Sequence, residues 1–115
     1  MTEKPTALFD KPSAVSLHPE ELNCIKAIFQ KIIPDREVWA FGSRISAHHK
    51  PFSDLDVVVM GENALPVEKL ADLHNAFSES DLTFKVDVVV WSELTDHFKS
   101  IIQNHYVIIQ TGHSL

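Results

Sequence analysis

Two aspartates separated by one residue, Asp54 and Asp56, open a run of valines, and a third, Asp87, interrupts the later run Val86-Asp87-Val88-Val89-Val90. Side chains along a strand repeat with a period of two, so Asp54 and Asp56 point to one face. If the two runs are neighbouring strands, all three acids converge. Two carboxylates about 4 Å apart repel by roughly 4 kcal/mol at an effective dielectric of 20, against the roughly 5–15 kcal/mol that holds a domain together. Such a cluster holds either a proton or a divalent cation, and hard oxygen donors favour Mg²⁺ or Mn²⁺. Taken alone, Asp54-x-Asp56 reads equally well as a pair of solvated acids at a strand end. Upstream, Phe41-Gly42-Ser43-Arg44 stands where a strand ends and a helical turn can begin, leaving backbone N–H groups free for phosphate oxygens. Gly42 allows close approach of a ligand to the backbone, the Ser43 hydroxyl can bond a phosphate, and Arg44 can neutralise one. A lone Gly-Ser is a weak signal. With ten residues between it and Asp54-x-Asp56, it completes the outline of a triphosphate-plus-metal site.

The surrounding pattern supplies the elements needed to hold these residues. A helix is expected from Pro19, with Glu20 and Glu21 at the positive end of its dipole, Leu22, Ile25, Ile28, Phe29 and Ile32 at helical spacing, and Pro34 as its stop. Glu37 to Phe41 reads as a short strand. The run Leu55 to Met60 reads as a strand covered on both faces, because Val57, Val58 and Val59 follow without polar interruption. Val67, Leu70, Ala71, Leu73 and Phe77 restore helical spacing between Pro66 and Phe77. Phe84 to Trp91 reads as a third strand, Ser92 as the N-cap of a helix bearing Leu94, Phe98, Ile101 and Ile102, and Tyr106 to Ile109 as a short edge strand. The fold class is therefore α/β, a small mixed sheet flanked by helices. Residues 1–15 read as a flexible arm and residues 16–115 as one domain.

The 115 residues carry 10 Lys plus Arg against 16 Asp plus Glu, a formal charge of −6. Extended nucleic-acid binding normally requires a basic face, so the composition argues against it, and an anionic ligand would need cations between it and the protein. The single cysteine, Cys24, allows no internal disulfide and sits among Leu22, Ile25 and Ile28, where core packing is the expectation. No apolar run approaches the roughly 20 residues that span a bilayer, and a cytoplasmic location is expected. Trp39 and Trp91 read as core residues of their strands. His48, His49 and Lys50 read either as an exposed loop or as further phosphate contacts.

Together, Gly42-Ser43, ten intervening residues, Asp54-Leu55-Asp56 and the later Asp87 resemble the G-S-x10-D-x-D signature, with its third carboxylate, of the DNA polymerase beta-like nucleotidyltransferase superfamily. The likeness runs from about Ile33 to Ile109, and its closest form is the minimal nucleotidyltransferase (MNT) group. It implies that Asp54, Asp56 and Asp87 hold two Mg²⁺ ions and carry the catalysis, and that Gly42, Ser43 and Arg44 bind the β- and γ-phosphates of ATP. The MNT group also implies a partner: a HEPN-type ribonuclease toxin whose tyrosine receives AMP, with this chain as the antitoxin. Two other readings stay open, an antitoxin that only occludes its toxin and a small-molecule nucleotidyltransferase acting as a homodimer. The sequence departs from the family pattern twice. Ser46-Ala47-His48-His49-Lys50 stands where relatives commonly have a glycine, and Val90 stands where some have a further acid.

Overall fold

The computed structural model describes residues 17–45 and 54–112. Helix α1, Pro19–Ile32, begins where Pro19 needs no intrahelical donor, and the Glu21 carboxylate accepts from the His18 backbone N–H at 3.0 Å. It ends before Pro34, with the Ile33 N–H closing on the Phe29 carbonyl. Strand β1 follows at Glu37–Phe41, β2 at Leu55–Val59, helix α2 at Val67–Ser78, strand β3 at Val86–Val90, helix α3 at Asp96–Asn104 and strand β4 at Val107–Thr111. This is the expected order of elements and the expected α/β class. Among the described residues no helix is long and apolar enough to cross a membrane.

The four strands form one mixed sheet in the order β3-β2-β1-β4. β1 runs antiparallel to both β2 and β4, while β2 and β3 are parallel and joined through α2. On one face, Val38, Ala40, Leu55, Val57 and Val59 pack under α1 and α2 with Ile25, Phe29, Leu73 and Phe77. The rings of Phe29 and Phe77 meet edge to face at 5.3 Å between the two helices. On the other face, Phe41, Val58 and Ile102 form a smaller cluster beneath α3, bordered by Trp39, Val89, Trp91, Phe98 and Tyr106. β2 is thus sealed on both sides, and Val57, Val58 and Val59 are fully buried, as the unbroken valine run requires. Gln110 fastens the far edge: its buried side-chain amide donates to the carbonyls of Ile33 and Arg36, each at 2.9 Å.

Three local expectations are corrected. β3 is shorter than Phe84 to Trp91, because the chain bends at Phe84 and Trp91 already belongs to a 3-10 turn, Trp91–Glu93. Ser92 lies inside that turn and caps nothing. Thr95 caps α3 instead, its hydroxyl accepting from the Phe98 N–H at 3.1 Å. Cys24 is only half-buried on α1, because Ile25 and Phe29 take the inward positions of that helix. Residues 1–15, read from sequence as an arm, and the loop residues His48, His49 and Lys50 lie outside the described residues.

Candidate active site

The site forms where β1 ends and β2 and β3 begin. Phe41, the last residue of β1, is the antiparallel partner of Asp56, and Asp56 is the parallel partner of Asp87. Neighbouring strands are about 4.8 Å apart, and paired residues in them share a face, so Asp56 and Asp87 stand side by side. Leu55 is wholly buried on the α1/α2 side, so the period of two turns Asp54 and Asp56 to the opposite side, the one that α3 covers. The Leu55 N–H donates to the Lys85 carbonyl at 2.9 Å, which locks the start of β2 to the segment leading into Asp87. The convergence expected from the two valine runs is therefore present.

Asp54 and Asp87 are exposed and Asp56 is half-buried between them. Burial first, then the charges of Asp87 and Asp54, raise the pKa of Asp56 above the ordinary carboxylate range. Either a proton or a cation would relieve that repulsion. Among the described residues no three such side chains are gathered into a ready-made metal cage. The all-oxygen donor set of the three aspartates has the chemistry of a hard divalent cation's ligands. The residues present thus fit the metal that the sequence implies.

Gly42 is required twice. Its φ of +86° lies in the left-handed region, and a Cβ built there would collide with the Asp56 carboxylate oxygen Oδ2. The backbone of the turn therefore passes directly against the acid. A 3-10 turn, Ser43–Ile45, starts immediately afterwards, with the Ile45 N–H reaching back to the Gly42 carbonyl at 3.3 Å. Ser43 opens this turn. Beside it, Phe98 of α3 meets Phe41 edge to face at 5.8 Å, which makes the start of α3 one wall of the site.

Gly42, Asp54, Asp56 and Asp87 are brought together, whereas Arg44 is buried. It is 7% exposed, and its guanidinium carbon lies 4.2 Å from the centroid of the Phe84 ring, within the core under α1 and α2. Sequence reasoning did not single out Phe84, whose only local signal was an aromatic residue at the start of an apolar run. Tyr106 stacks flat on Trp39, with ring centroids 3.9 Å apart, and so serves the smaller core.

The comparisons with known proteins agree with this arrangement. Residues 22–109 match the family model of the nucleotidyltransferase domain, a span that contains the turn and all three acids. The chain is also similar to a probable protein adenylyltransferase, MntA, of Haemophilus influenzae, at 42% identity over 96 residues, covering 84% of each chain. Enzymes of this kind take a nucleoside triphosphate as substrate and use a divalent metal. By its fold, by the placement of its acids and by both matches, the chain belongs to the nucleotidyltransferase family, in its minimal, MNT-like form.

Proposed function

We propose that the chain transfers AMP from ATP to a hydroxyl of a partner protein, a tyrosine of a HEPN-type ribonuclease toxin, and so acts as the antitoxin of that toxin. The observation that carries this reading is the pairing of Asp56 with Asp87 across β2 and β3, with the Gly42 backbone pressed against Asp56. The likeness to a probable protein adenylyltransferase supports a protein as acceptor. Residues 16–115 would form the minimal nucleotidyltransferase domain, working in the cytoplasm.

In this reading Asp54, Asp56 and Asp87 hold two Mg²⁺ ions. When bound, the ions stabilise the attacking and leaving oxygens of an in-line displacement. The backbone at Gly42 and the Ser43 hydroxyl bind the β- and γ-phosphates, and Arg44 adds positive charge from behind the turn. Asp87, the most open of the strand acids, faces the acceptor hydroxyl and takes its proton. The hydroxyl oxygen bonds to the α-phosphorus as the bond to the bridging oxygen breaks, and pyrophosphate departs.

The test is transfer of label from ATP to the protein encoded by the neighbouring gene, in the presence of Mg²⁺. Transfer by the parent chain and its loss in Asp54→Asn and Asp56→Asn are expected. Label transfer that survives both substitutions would overturn the assignment of the acids. Neutralisation of the toxin without transfer would favour occlusion, and transfer to a small molecule by a homodimer would move the acceptor class.

A further inference from the structure

We propose that Arg44 is a positioning residue, whose guanidinium, laid on the ring of Phe84, fixes the Gly42-Ser43 turn relative to the start of β3 and hence to Asp87. This rests on reading the site as a nucleotidyl-transfer centre. A guanidinium keeps its charge at any accessible pH, and burying it is costly without a compensating partner. Arg44 is nevertheless 7% exposed, and Phe84 is 8% exposed. At 4.2 Å from the ring centroid the aromatic quadrupole is one of the interactions that hold the cation, and this attraction is strongest where water is excluded.

The connectivity shows what this contact joins. The turn after β1, the start of β2 and the start of β3 are three separate stretches of chain, and catalysis requires them to agree. Backbone pairing already ties β2 to β3 through the Leu55 N–H and the Lys85 carbonyl. Besides its bond to Gly42, the Ser43–Ile45 turn is held from behind by groups that include Ile45, 1% exposed in the larger core, and Arg44 on Phe84. Phe84 precedes Asp87 by three residues. The turn is thus two-sided, with Gly42 against Asp56 in front and an anchor behind. Reacting groups misplaced by about 1 Å lose on the order of a hundredfold in rate, which gives such an anchor its value. A lysine is a point charge on a flexible stem and cannot lie flat on the ring in the same way.

Calorimetric titration of the full chain with Mg-ATP tests the proposal. Arg44→Lys and Phe84→Leu are each expected to weaken binding about tenfold, and the double variant by less than the product of the two, because both weaken one shared contact. Phe84→Tyr keeps the ring and should bind like the parent. Phe77→Leu trims another ring of the same core and should lower Tm while leaving affinity within about twofold. Additive losses, or normal binding by Phe84→Leu beside weak binding by Arg44→Lys, would show that Arg44 does not act through the ring and overturn the proposal. Phe84→Met takes the place of Phe84→Leu if the latter does not fold. A parent chain that binds no Mg-ATP would overturn the functional reading instead. The Gly42 and Ser43 amide resonances of the nucleotide-free chain then decide, since Phe84→Leu must displace them if the anchor exists and leaves them in place if it does not.

Discussion

The two faces of the sheet are built from similar valine-rich strands and do different work. Under α1 and α2 the face is continuous and apolar, with Ile25, Phe29, Val57 and Leu73 sealed from water. Under α3 the cover is shorter and the neighbours are half-exposed aromatics, and at the start of β2 and β3 the apolar pattern gives way to Asp54, Asp56 and Asp87. One face supplies cohesion. The other tolerates a set of like charges that weakens the metal-free fold, and only a rigid opposite face makes that tolerable.

The largest expected effect separates the two faces by activity. Asp56→Asn should lower nucleotidyl transfer by about a thousandfold or more, while the melting temperature of the metal-free chain holds or rises, because a repelled, half-buried charge has been removed. A fall in melting temperature would show that Asp56 supports the fold. Next, Phe29→Ala should destabilise by about 3–5 kcal/mol in a urea titration, since it empties a fully buried site on the cohesive face. A loss below about 1 kcal/mol would break the comparison.

A pH series sharpens it. The folded-state pKa of Asp56 is raised, so its contribution to metal-free stability is full below the unfolded carboxylate pKa and is lost as pH rises through the folded value. Cation binding needs the carboxylate and therefore runs the other way. The rise in Tm produced by Mg²⁺ should shrink as the pH falls into the acid range, and Asp56→Asn should abolish that pH dependence. The smallest effect concerns α3 alone: Thr95→Ala removes its cap and should cost about 1 kcal/mol.

Most of the fold was legible because each strand and helix is short and regular. Pro19 and Pro34 bracket α1, and the sealed valine run of β2 announces a central strand. The candidate site was legible as far as spacing reaches, since Asp54-x-Asp56 needs only the period of a strand and Gly42 only a left-handed turn. What was hidden depends on contacts between distant residues. Ser92 and Thr95 are both good caps by type, and the choice falls to Thr95 because Trp91–Glu93 first makes a turn of its own. Arg44 looks like a phosphate ligand from its neighbours in the chain. Its burial against the ring of Phe84, a residue distant in the chain, is a contact that those neighbours do not announce.

The order of strands also bears on how the chain is made. β1 lies between β2 and β4, and the Gln110 amide reaches back 77 and 74 residues to the carbonyls it bonds. A growing chain can pair β1 with β2 early, yet one edge of β1 stays open until β4 leaves the ribosome. Long loop closure of this kind slows folding, and an open edge invites pairing with other chains. Truncation before β4 would therefore leave a nascent protein with Asp54, Asp56 and Asp87 already synthesised and an unprotected strand edge, a species for proteases and chaperones to find first.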